Sequence, residues 1–183
     1  MDPTKLIRLS RSIEVTEIPS GIRGVLPQET EVRIMQSLGG SYTVWSNYGQ
    51  MYRVDLKDAD ALGITPETGA QHATPTAGEF NDQLVWEQLK SVYDPEIPVN
   101  IVDLGLIYEC QISDAEAGGK KIDVKMSMTA PGCGMGNVLK ADVEQKLSHL
   151  PSVKQVSVEV VFDPPWNPTR MSEAARLQLG LDI

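Results

Sequence analysis

The stretch best equipped for chemistry is Met126-Ser-Met-Thr-Ala-Pro-Gly-Cys-Gly-Met-Gly136, which leaves a β-prone run, places three glycines around Cys133 and opens into an amphipathic helical pattern. A thiol just ahead of a helix lies near unpaired backbone N–H groups and the positive end of the helix dipole, and both favour its thiolate. Three chemistries are open to such a loop. The first is phosphate binding at the helix start. Gly132-Cys-Gly-Met-Gly136 misses the dinucleotide fingerprint spacing, however, lacks the Lys-Ser/Thr of a phosphate loop and follows a hairpin instead of opening a strand–helix–strand unit. The second is nucleophilic catalysis, which needs a base within hydrogen-bond reach. His149 falls near the far end of the following helix, roughly 20 Å away at the helical rise, so a thiol hydrolase is disfavoured. The third is a thiolate that takes hold of a soft metal or an iron–sulfur centre. One cysteine is too few for the usual four-thiolate site, so such a site would be shared between chains, completed by other ligands or used in passing. Beside all three stands a cysteine merely packed in a tight turn, because cysteine is often buried without a reactive role.

The other candidates are sparser. Cys110 shares the parity of an apolar strand face and reads as a small core residue. His72 lies in a Pro/Thr/Ala-rich stretch without neighbouring ligands, and with no CxxC pair and two distant histidines a self-contained zinc site is not expected. Asp94, Glu96 and Asp103 stand among prolines and turn residues, where acids commonly form turns and solvate helix ends.

Composition narrows the class. A length of 183 residues allows two modest units, and the apolar fraction of 41% is that of a globular protein. The formal charge of −9, with no cluster of Lys and Arg, argues against nucleic-acid binding. Apolar runs are too short to cross a bilayer. Two cysteines cannot build a disulfide framework, and the N-terminus has no apolar core of signal-peptide length, so a reducing cytoplasm is the expected location.

The elements that must position Cys133 can be read from periodicity. An α+β chain is expected, with a small β-rich N-terminal unit over 1–63, a linker over 64–80 and a second domain over 81–183. The first unit shows short strands around Ile13 to Ile18, Glu31 to Gln36, Ser41 to Trp45 and Met51 to Leu56, and reads as a small antiparallel barrel or curled sheet. Tyr42, Trp45, Tyr48 and Tyr52 either complete its core or form a binding face. The second domain reads α-β-β-α-β-α, a three-stranded sheet covered by helices. Its first helix is capped at Asn81 or Asp82 and buries Leu84, Val85, Leu89 and Val92. A hairpin follows, one strand facing inward with Leu104, Leu106, Tyr108, Cys110 and Ile112, the other with Ile122, Val124, Met126 and Met128. Val138, Leu139, Val143, Leu147 and Leu150 mark the next helix, Val153 to Phe162 a third strand, and Ser172 to Gly180 a tail helix.

Asp94-Pro-Glu-Ile-Pro98, Asp103-Leu-Gly-Leu-Ile-Tyr108 and Thr129-Ala-Pro-Gly-Cys133, in this order, resemble the metal–sulfur cluster assembly domain found in PaaD-like and eukaryotic cytosolic iron–sulfur assembly proteins. Ala130-Pro-Gly-Cys-Gly-Met-Gly136, Val161-Phe-Asp-Pro-Pro-Trp166 and Met171-Ser-Glu-Ala-Ala-Arg-Leu177 are similar to the SufT family, as are Leu38-Gly-Gly-Ser-Tyr-Thr-Val44 and Asp58-Ala-Asp-Ala-Leu-Gly63. Members outside that subgroup commonly carry proline after the cysteine, where this chain has Gly134. The resemblance implies an assembly or transfer factor rather than an enzyme with turnover. It implies a transient or shared iron–sulfur cluster associated with Cys133, and iron–sulfur assembly proteins and apo-protein clients as partners. It also implies site roles for Thr129, Asp103, Asp94 and Glu96, with Asp103 placed to hydrogen-bond the cysteine loop. The competing class is a non-catalytic interaction adaptor in which Cys133 is structural. A single loop thiol per chain, Cys133, and uncovered strand edges also lead to an expectation of a homodimer.

Overall fold

The computed structural model describes residues 5–65, 80–116, 118–130, 132 and 134–181. The chain divides into two compact units, Met1–His72 with Pro95–Pro98, and Ala73–Asp94 with Val99–Ile183. Most of the expected linker, His72 included, lies outside the described residues.

The first unit is an antiparallel sheet of β1 (Leu6–Arg8), β2 (Ile13–Ile18), β3 (Arg23–Leu26), β4 (Glu31–Leu38), β5 (Ser41–Ser46) and β6 (Met51–Asp55), in the order β1-β4-β5-β6-β2-β3. Alternation drives it: Ile13 and Val15 are buried while Glu14 between them is exposed. Gly39 and Gly40, with φ of 67° and 85°, close the β4–β5 hairpin in a conformation that side chains resist. A 3-10 helix over Leu56–Leu62 adds Ala59, Ala61 and Leu62 to the core. Arg11 ties it down, reaching Asp58 at 2.9 Å and Asp60 at 2.6 Å. The Arg11 guanidinium holds the Asp60 carboxyl below the usual carboxylate range.

Two alternatives left open by the sequence are decided in this unit. Among the described residues β1 and β3 end the sheet order and do not pair with each other, so of barrel and sheet the chain forms an open antiparallel sheet. The aromatics divide: Tyr42 is in the core and Tyr52 packs against it, whereas Trp45 at 43% and Tyr48 at 62% exposure face solvent within this unit.

The second unit starts with α1 (Asp82–Lys90), whose N-cap Asn81 accepts a hydrogen bond from the Leu84 N–H at 3.0 Å. Lys146 donates to the Ser91 carbonyl at 2.7 Å at the other end, a cation where the helix dipole favours one. β7 (Ile107–Asp114) and β8 (Lys120–Met126) form the expected antiparallel hairpin, with Cys110 opposite Val124 and Ile112 opposite Ile122. From β8 the chain crosses through α2 (Gly136–Ser148) to β9 (Val153–Val160), which pairs parallel to β8 and leaves β8 in the centre. Val85 and Leu89 of α1, Leu139, Val143 and Leu147 of α2, and Ile122, Val124 and Met126 of β8 are all buried, so the helices cover one face. The other face carries ion pairs, Lys125 with Glu109 and Lys121 with Asp123, both at 2.8 Å. α3 (Glu173–Gln178) follows, its first turn capped by Ser172 and its end marked by Gly180 at φ 69°.

Single parity from Leu104 to Ile112 is not what the structure shows. The strand begins only at Ile107, because the backbone turns at Gly105 with φ 70°, and a register shift between Ile107 and Glu109 resets the alternation. Phe162 is not a strand residue either. The chain leaves β9 at Val160, and Phe162 is 48% exposed.

Candidate functional site

The cysteine loop is entered from the central strand and left through a helix start. Beyond the end of β8, the Ser127 N–H donates to the Leu106 carbonyl at 2.8 Å, and on the opposite flank the Val161 N–H donates to the Met126 carbonyl at 2.8 Å. Met126 and Met128 are buried. An added Cβ on Gly136 would meet the Met128 side chain at 3.6 Å, so the start of α2 rests against the residue that leads into the loop. Gly132 has φ 79° with open space around its missing Cβ, and what selects glycine there is backbone conformation alone. α2 is a 13-residue helix with Met135 at its N-cap, no side-chain cap and no acid in its first turn. Its positive end is therefore not neutralised by its own side chains. Cys133 stands three residues ahead of it in sequence; together with Pro131 it lies outside the described residues.

Of the acids singled out in the sequence, Asp94 is buried, and its N–H donates to the Val99 carbonyl at 3.2 Å. Glu96 is exposed and belongs with Pro95–Pro98 to the first unit, so the structure does not gather Asp94 and Glu96 into one unit. Asp103 is half-buried in an Asn-initiated turn. Asn100 Oδ1 accepts from the N–H groups of Val102 and Asp103 at 3.1 and 2.9 Å, while its Nδ2 donates to the Asp103 carboxylate at 2.6 Å. Among the described residues, Asn100 is thus the side-chain partner of Asp103. Thr129 is half-buried two residues past Ser127. Leu106, close behind Asp103, bonds Ser127, and this joins the Asp103 turn to the segment that leads from the end of β8 to Thr129.

Periodicity gave no hint of what lies over that turn. The segment after β9 packs across residues 103–108. Trp166 Nε1 donates to the Leu104 carbonyl at 2.8 Å, the Tyr108 hydroxyl to the Pro164 carbonyl at 2.9 Å, and the Ser172 N–H to the Asp103 carbonyl at 2.8 Å. The Arg170 guanidinium stacks on the Tyr108 ring 3.9 Å from its centre. An added Cβ on Gly105 would fall 2.2 Å from the Arg170 carbonyl oxygen, so only glycine fits beneath the segment. Asn100 was legible in principle, since Asn three residues before Asp is a turn signal. The pairing of Trp166 with Leu104 spans 62 residues and has no local signature.

The remaining titratable candidates are accounted for. Burial, assisted by Asp82, pushes the Cys110 thiol up to about 11, so at neutral pH it is a protonated packing residue. His149 caps the C-terminal end of α2, with Nδ1 2.6 Å from the Gln145 carbonyl. Among the described residues no group of three or more His, Cys, Asp and Glu converges as a metal site, and no helix is long and apolar enough to cross a membrane.

Fold and site define a mixed α+β domain whose distinguishing element is a glycine–cysteine loop between the central strand and a helix start. Residues 82–160 match the family described as iron-sulfur cluster assembly protein. A curated Fe-S protein maturation auxiliary factor of Porphyromonas gingivalis is 46% identical over 92 residues, which are 50% of this chain and 84% of the relative. The Fe-S protein maturation auxiliary factor YitW of Bacillus subtilis is 37% identical, covering 51% of this chain and 87% of its own. The Fe-S protein maturation auxiliary factor SufT of Staphylococcus aureus is 34% identical, covering 49% and 98%. The chain belongs to this iron–sulfur cluster assembly family.

Proposed function

We propose that this protein is an accessory factor that helps iron–sulfur clusters form in, or reach, apo-proteins. What carries the reading is the 34–46% identity to three maturation factors across 84–98% of their lengths. Cys133 is the thiol that contacts the cluster, which is cargo held in passing or shared between two copies of the chain in a homodimer. Its thiolate is favoured by the uncapped positive start of α2. Thr129 and Asp103 border the loop from the strand and from the adjoining turn, and Asp94 and Glu96 complete the acidic motif. No step of this role requires turnover. The domain over 81–183 does this work, the unit over 1–63 joined by the linker 64–80 serves contacts, and the partners are iron–sulfur assembly proteins and clients in the cytoplasm.

A second reading has one observation in its favour. Trp45 and Tyr48 are exposed in the first unit, as suits an adaptor that binds proteins while Cys133 is only structural. The two readings separate in cells that lack the protein. The maturation reading expects iron–sulfur enzyme activity to be restored by the wild-type chain and not by Cys133→Ala, whereas the adaptor expects both to restore it.

A further inference from the structure

The segment after β9 lies beyond the matched residues 82–160, and it forms a strap whose two ends hold the entrance to the cysteine loop. It departs beside β8, where Val161 donates to the Met126 carbonyl. It then crosses residues 103–108 through Trp166, Arg170 and Ser172, fastened to the backbone carbonyls of Leu104, Gly105 and Asp103. The next residue, Leu106, accepts the Ser127 N–H. Met126 and Ser127 are therefore clasped from both sides, and both clasps lead back to the strap. Ser127 shows how closed this place is: its hydroxyl is in a residue only 1% exposed and has no hydrogen-bond partner among the described residues. Thr129 follows two residues later and Cys133 six residues later.

We propose that Arg170 and Trp166 are positioning residues for the Cys133 loop. They fix the Leu104 and Gly105 carbonyls, those fix Leu106, and Leu106 sets where β8 ends and the loop begins. Arg170 is the adjustable point. It is exposed and held by ring stacking plus a 3.3 Å bond from Nε to the Gly105 carbonyl, so its removal loosens the strap without emptying the core. The inference rests on the role proposed for the loop, yet its test reads loop geometry and thiol chemistry without any cluster.

The experiment uses the full chain with no added metal. Amide exchange of Ser127 is followed by NMR, and alkylation of Cys133 by iodoacetamide is followed across pH 6–9 by mass spectrometry, with Cys110 as internal reference because its thiol is protonated there. In Arg170→Ala, Ser127 exchange should rise about tenfold or more and the Cys133 alkylation profile should shift by about threefold in rate, with far-UV circular dichroism unchanged. Arg170→Lys, which keeps a cation over Tyr108, should return both within about twofold of wild type. Trp166→Phe, which removes the bond to Leu104 and keeps an aromatic ring, should act in the same direction as Arg170→Ala. If Ser127 exchange and Cys133 alkylation stay within about twofold of wild type in both Arg170→Ala and Trp166→Phe, the strap does not position the loop and the proposal falls. A Cys133→Ala chain that still matures iron–sulfur enzymes would instead sink the functional reading and leave this coupling standing.

Discussion

Alanine at Gly105 would meet two separate penalties whose sizes can be worked out. The residue sits at φ 70°, where a side chain costs about 1–2 kcal/mol. Its new Cβ would also lie 2.2 Å from the Arg170 carbonyl oxygen and 2.6 Å from the carbonyl carbon, against 3.4 Å or more in ordinary contacts. The strap must then withdraw by about 1 Å, enough to take the Trp166–Leu104, Tyr108–Pro164 and Ser172–Asp103 bonds out of hydrogen-bonding range. At about 0.5–1.5 kcal/mol for each bond, and about 0.5–1 for the stacking of Arg170 on Tyr108, the contacts cost roughly 2–5 kcal/mol, and the backbone penalty brings the total to roughly 3–7 kcal/mol. Gly118 supplies the control, since its φ is 81° and nothing lies within 4 Å of an added Cβ. Gly118→Ala should cost only the backbone term, about 1–2 kcal/mol. Urea unfolding followed by tryptophan fluorescence, to which Trp86 and Trp166 contribute from the second unit, measures both variants side by side. A gap of less than about 1 kcal/mol between them would refute the close packing of the strap on Gly105.

Two further perturbations address the turn and the second cysteine. Asn100→Ala removes the acceptor for two turn N–H groups and the partner of the Asp103 carboxylate, and should lower stability by about 1–3 kcal/mol in the same urea assay. Stability should also fall as pH rises from 9 to 11 by an amount that Cys110→Ala abolishes. The folded chain keeps the Cys110 proton to about 11 against the ordinary 9.0, so the unfolded chain loses it first; the contribution is intact below pH 9 and lost through pH 11.

Elements built on local rules were legible in the sequence, and those built on distant contacts were not. Asn81 as a cap, the Leu139, Val143 and Leu147 stripe, and the tail helix between Ser172 and Gly180 each follow from residue type and spacing, and each forms as expected. β1 and β3 are three and four residues long with mostly exposed side chains, too short for alternation to register. The bulge after Ile107 broke the parity argument because a strand's period survives only while the ladder is regular. At the site, the loop around Cys133 was visible as glycines between a strand and a helix. The Asp103 turn was partly visible through Asn100. What joins them, Ser127 to Leu106 and Trp166 to Leu104, spans 21 and 62 residues and depends on tertiary packing that no periodicity encodes.

The central claim is that this chain serves iron–sulfur protein maturation through Cys133, and its most direct measurement is the activity of iron–sulfur enzymes in cells whose own copy has been replaced. Wild type, Cys133→Ala and Cys110→Ala should be expressed to equal levels and compared with a metal-independent enzyme as reference. The account predicts that wild type and Cys110→Ala restore activity and Cys133→Ala does not, the reference enzyme staying unchanged. Full restoration by Cys133→Ala would contradict it.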